Sequence, residues 1–221
     1  NDKAKTARVM EPGYHLPVLY EFLKHNPQSE SAPRITEAFR RWGDYILGFG
    51  TLSPFGQIGG TAQDGSTRNI MSHSNNRFGD IAWGLATAAR LLEEPKYLKA
   101  AEHQLQWILG FNPADVSMMA GVGRGPGCYH TRYCFMEGCE SGIVLGGITL
   151  GIVSGTGNTI ELGDMDTKNF VIADVPIDYP IIDTDVWGWT YAYKTSEYAL
   201  AKGASFIRAA AQIEKALREL K

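Results

Sequence analysis

Surplus charge, long apolar runs and paired cysteines are what this sequence has least of. Its 21 lysines and arginines stand against 24 aspartates and glutamates, a net charge of −3. With no basic surplus there is no long-range field to gather nucleic acid or anionic lipid, so neither is expected as a partner. No apolar run approaches the roughly twenty residues of a membrane-spanning helix, so no membrane partner is expected either. The three cysteines, Cys128, Cys134 and Cys139, are close neighbours in sequence. An odd number leaves at least one unpaired, and no second cluster exists to complete four zinc ligands. Phosphate-binding loop, dinucleotide fingerprint and Gly-x-Ser-x-Gly elbow are all missing, which removes the nucleotide-dependent and serine-hydrolase designs built on them. The chain opens on NDKAKTARVM, without an initiator Met or a signal-peptide pattern. The expectation from that start is a processed or truncated product.

What is present is helical pattern. Between residues 33 and 49, Ile35, Phe39, Trp42, Ile46 and Phe49 recur in steps of three and four, one face of a helix. Phe78, Ile81, Leu85, Ala89 and Leu92 repeat the pattern, and so do Leu98, Ala101, Leu105 and Ile108 after Pro95. Proline suits the first turn of a helix, and the short connection before it predicts an antiparallel pair. A shorter helix is expected over residues 17–25. From Glu197 onward one stripe runs Ala199, Gly203, Phe206, Ala210, Ile213, Leu217 and a second runs Leu200, Ala204, Ile207, Ala211. A helix apolar nearly all round is expected to be enclosed by other helices. Residues 50–76, 110–142 and 146–187 are long connections rich in Gly, Asn, Asp, Thr and aromatics, a composition of functional loops rather than of disorder. Ile143–Val153 mixes β-type residues with glycine and reads as a small hairpin.

The segment YLKAAEHQLQWILGFNPADVSMMAGVG, from Tyr97, carries a likeness to a known family. It resembles the part of family 9 glycoside hydrolases where a helix ends in a leucine-glycine-x-asparagine-proline turn and enters a glycine-rich loop. His130-Thr131-Arg132 resembles that family's His-x-Arg element, and GIVLGG from Gly142 the glycine-rich stretch after it. Ser196-Glu197-Tyr198-Ala199 resembles the Asn-Glu-x-Ala motif, and Ser74-Asn75-Asn76-Arg77 before an alanine-rich helix fits in place and order. The likeness runs from about Ile35 to the C-terminus. It implies an all-α (α/α)6 barrel of the six-hairpin type, with residues 1–221 covering about its C-terminal half and the long loops at one end. The N-terminal half of the same barrel would be the partner, and would hold the Asp-x-Gly-Asp base motif that these residues lack. Two departures stand: Gly203 replaces the asparagine usual six residues after the glutamate, and Asp183 and Asp185 are out of step with the aspartate that usually precedes it.

Inverting glycosidases set two carboxyl groups about 6.5–9.5 Å apart across the scissile bond, one of them kept protonated. The resemblance makes Glu197 that general acid; a first-turn glutamate complementing the helix dipole is the plainer alternative. His130 and Arg132, in the loop GRGPGCYHTRY, can donate to sugar hydroxyls, or Arg132 can simply pair with an acid such as Glu137. Trp187, Trp189 and Tyr193, with Tyr191, Tyr129 and Tyr133 nearby, offer aromatic faces on which pyranose rings stack, or else the alternation of a half-buried strand. No cofactor is expected. Calcium is the one candidate raised by Asp64, Asp164 and Asp166, but their spacing does not complete a twelve-residue calcium loop and suits turns better. The expectation is therefore a secreted inverting hydrolase of cellulose or a related β-glucan, with a polysaccharide or oligosaccharide substrate. A non-catalytic glycan-binding or structural relative on the same scaffold is the alternative, and a polysaccharide lyase a weaker third.

Overall fold

The computed structural model describes residues 16–48, 55–58, 60–61, 67–68, 75–112, 115, 117–124, 145–148 and 200–220. Among them lie five helices: α1 Leu16–His25, α2 Ala32–Leu47, α3 Asn75–Leu92, α4 Pro95–Ile108 and α5 Leu200–Glu219. One antiparallel pair of two-residue strands, β1 Gly60–Thr61 and β2 Thr67–Arg68, stands between α2 and α3. The all-α expectation holds, and each predicted helix is found within a few residues of its predicted bounds.

The helices form where apolar spacing and end signals agree. Helix α2 has a proline in its first turn and buries Phe39, Trp42 and Ile46, three of the five residues of its predicted face. The α3–α4 turn is tight because Glu93 takes a left-handed conformation at φ 55° and Glu94 an extended one, before Pro95 opens α4. Glu94 does not cap the helix with its side chain; its carboxylate bonds Arg40 and Lys96 instead. That places the α2 surface against the turn. Tyr97, fully buried, donates its hydroxyl to Asp44 at 2.8 Å, and Lys96 reaches the same carboxylate at 2.7 Å.

Residue pairs give the directions. Leu16 lies against Gly84 and the Arg90 guanidinium over the Tyr20 ring, so α1 and α3 run the same way. Gly79 faces Ser205, Gln212 bonds Thr87 and Arg90 bonds Glu219, so α3 and α5 also run the same way. Helices α2 and α4 return between them through the short turns after α1 and α3. Two hairpins thus share an end for their short turns, and their long connections leave from the other end.

Among the described residues the centre is α3. From Phe78 to Ala89 every residue of α3 is buried, including Asp80 and Thr87. Gly79 and Gly84 let neighbours touch the backbone: a Cβ at Gly84 would come within 2.6 Å of the Trp42 ring. Helix α5 is instead two-sided. Ser205, Ala209, Gln212, Ile213 and Ala216 are buried against α3, while Ala204, Ile207 and Ala211 are exposed, Ile207 by 69%. The cover expected on the Ile207 side would come from the rest of the barrel, outside this chain. Of the Ile143–Val153 stretch, expected as a small hairpin, only 145–148 lie within the described residues; there Ile148 bridges Met119, and Gly146 and Gly147 bond Ala120.

Candidate functional site

The end from which the long connections leave is where chain segments from all three converge. Gln104, buried on α4, donates to the carbonyls of Gly56 at 2.8 Å and Ala100 at 3.0 Å and accepts from the Ile58 amide at 2.9 Å. One amide side chain thereby ties the segment 55–58 to α4 through its backbone. Phe55 then sits edge-on to Trp107 and Phe111, with ring centres 6.0 and 5.4 Å away. The segment 117–124 is tied to the same end. The Met118 amide donates to the Ile108 carbonyl at 2.8 Å, and the Asn75 side chain lies 3.3 Å from the Met118 sulfur. Segment 145–148 follows through its bonds to Ala120. Phe111, Val122 and Leu145 are left largely exposed there. Apolar and aromatic faces at the mouth of a helical array suit stacking against a sugar ring.

Helix α5 begins at this end and is held by charge. Asp80, only 3% exposed, accepts from the Ser205 hydroxyl at 2.8 Å and pairs with Arg208. The Arg208 guanidinium also lies 5.2 Å from the centre of the Trp83 ring. An ionised carboxyl inside a packed helix needs such partners, since an unpaired one would cost several kcal/mol. Sequence reasoning did not single out this trio. The signal was there in FGDIAWGLA, one acid inside an apolar run, but its partners stand 125 and 128 residues away.

The residues expected to carry the chemistry, Glu197, His130, Arg132, Tyr193, Trp187 and Trp189, all lie outside the described residues, as do the three cysteines. Glu197 precedes the start of α5 at Leu200 by three positions. Among the described residues no cluster of His, Cys, Asp or Glu could hold a metal ion. None of the described helices is long and apolar enough to cross a membrane. A shallow open groove lined by Pro27, Ser29, Thr36 and Arg40 lies at the opposite, short-turn end, and Arg40 there is engaged by Glu37 and Glu94.

No family model matches the chain, and no curated protein matches it in sequence. Its structure is similar to the crystal structure of a metagenome-derived glycoside hydrolase family 9 endoglucanase, with a TM-score of 0.55 and 20% identity over 82% of this chain. The chain spans 29% of that relative's length. Over most of its own length, this chain therefore has the all-α fold of part of a family 9 glycoside hydrolase.

Proposed function

We propose that the chain is the C-terminal part of an inverting glycoside hydrolase that cleaves β-glucosidic bonds in cellulose or a related β-glucan outside the cell. Glu197 is the general acid, giving its proton to the leaving oxygen. His130 and Arg132 donate to sugar hydroxyls, and Trp187, Trp189 and Tyr193 stack on the rings. The base comes from an N-terminal half of the barrel, since inversion needs a second carboxylate and a water beside it. One observation supports this reading above the others: α5, the helix that follows Glu197, starts at the end where segments 55–58, 117–124 and 145–148 gather. In α/α arrays a cleft is built from such convergent connections.

The test is Glu197→Gln in the full-length protein. Hydrolysis of β-glucan should fall about a thousandfold, the usual worth of a positioned acid. A glycoside with a dinitrophenol leaving group, which departs without a proton, should lose far less. Wild-type rates on β-glucan would reject Glu197 as the acid.

A second reading, a glycan-binding relative without turnover, is favoured by Gly203. It stands where the family usually has asparagine, and a Cβ there would meet none of the described residues within 4 Å. Glycine there has no side chain to offer a substrate. Binding of β-glucan by the full-length wild type, without release of reducing ends or unsaturated products, would select this reading.

A further inference from the structure

We propose that Asp80 is a positioning residue for the general acid, acting through the height and rotation of α5. The proposal rests on the glycosidase reading above and adds to it a residue that never touches substrate. Where α3 and α5 cross, nothing soft separates them. A Cβ at Gly79 would lie 2.7 Å from the Ser205 Cβ and 2.8 Å from the Ser205 carbonyl carbon, so backbone rests on backbone. Apolar contact of this kind resists separation but not sliding, since alanine faces such as Ala82, Ala86 and Ala209 offer no tall ridges. Sliding is resisted by polar pairs that reward one register. Asp80 holds two points of α5 one turn apart, Ser205 by its hydroxyl and Arg208 by its guanidinium. Gln212 on Thr87 and Glu219 on Arg90 repeat the lock further down the same seam.

Of these pairs, the Asp80 pair is the one nearest the start of α5. It is also a charged pair with one member 3% exposed, so slipping it would bury an unpaired carboxylate. The backbone from Ser205 to Leu200 is helical and therefore stiff. Leu200 is joined to Glu197 by two residues. In this proposal the acid, three positions before Leu200 in sequence, follows a shift of α5 along α3, and a misplacement of about 1 Å at a catalytic group can cost about a hundredfold in rate.

The experiment compares Asp80→Ala and Asp80→Asn in the full-length protein on two substrates, an unactivated β-glucan and a dinitrophenyl β-glycoside of the same sugar. Asparagine keeps the oxygen that Ser205 and Arg208 use; alanine removes it. The expected result for Asp80→Ala is a kcat on β-glucan lowered about a hundredfold, with KM little changed and the dinitrophenyl glycoside cleaved within a few-fold of wild type. Asp80→Asn should restore most of the lost β-glucan rate. Should Asp80→Ala fail to fold, Arg208→Gln on the half-exposed side of the pair carries the same expected split. Equal losses on both substrates, no loss on either, or insolubility of both variants would assign the trio to stability alone and overturn the proposal. A wild type that cleaves neither substrate would instead overturn the glycosidase reading itself, and is distinguished by appearing before any substitution is made.

Discussion

Gln104 is fully buried yet satisfied three times over, by Ile58, Gly56 and Ala100. Replacing it with leucine keeps the volume and leaves the Ile58 amide and the Gly56 carbonyl without partners. The expected cost is about 1–3 kcal/mol, together with faster hydrogen exchange at the Ile58 amide; unchanged protection there would show that the segment is held by packing on Phe55 and Ile58 alone. The α2–α4 surface network gives a pH signature. The Lys96 ammonium, with the Tyr97 hydroxyl adding to it, holds the Asp44 carboxyl below its ordinary value of 3.8, and Lys96 and Arg40 lower Glu94 from 4.5. Both carboxyls have folded values below their unfolded ones, so their contribution is complete above about pH 4.5 and fades as pH falls through the folded values. Burial, aided by Asp44, pushes Tyr97 up to about 12, so its contribution is complete below about pH 10 and is lost on rising toward 12. Melting temperatures should therefore fall at both extremes, and Asp44→Asn should flatten the acid side. An acid limb of unchanged steepness in that variant would place the responsible carboxyls elsewhere. None of these partners was legible in the sequence. Gln104 and Tyr97 look like ordinary helix positions until the fold brings Ile58 and Asp44 beside them.

Two glycines in helices test how the elements meet. Gly79 lies where α3 touches α5, and a Cβ there would strike Ser205 Cβ and backbone. Gly203 lies on α5 with none of the described residues within 4 Å of a Cβ placed there. Alanine at Gly203 should stabilise by about 0.5–1 kcal/mol, because it only restricts the unfolded chain. Alanine at Gly79 should destabilise by about 1–3 kcal/mol, as overpacking does. Chemical denaturation of the two variants decides it; equal effects would mean that α3 and α5 are not in backbone contact. At this scale the sequence was informative. The sequence pattern found the five helices of the described residues, and Pro95 marked the start of α4. It did not mark α3 as an enclosed member, because small residues fit an enclosed helix as well as a one-sided one. The clue that α3 is the enclosed member was its glycines, whose value lies in what approaches them, and that is a property of the neighbours Trp42 and Ser205.

The fold of the whole was legible through five motifs in order, because a barrel of hairpins repeats one simple plan and the structural likeness follows it over 82% of the chain. The site was less so: its expected residues stand in the long connections, where no periodicity constrains geometry, and they lie outside the described residues. Spanning 29% of its structural relative, the chain has an outer α5 face of Ala204, Ile207 and Ala211 that suits a further helix layer. Expressed alone, residues 1–221 should be inactive on β-glucan and should associate or precipitate, as chains with large uncovered apolar faces do. A soluble monomer with substantial turnover would refute the half-barrel proposal. The parallel seam of α3 and α5 carries a last consequence, for synthesis on the ribosome. Asp80 and Ser205 are partners 125 residues apart, so α3 leaves the exit tunnel long before the helix that covers it. At about 5–20 residues per second that wait is roughly 6–25 s. During it the α3–α4 hairpin can close, but the alanine face of α3 and the Asp80 carboxylate have no α5 to meet. A nascent chain arrested before residue 200 should therefore bind holdase chaperones more strongly than one released at full length, and should be the form most easily lost to proteolysis.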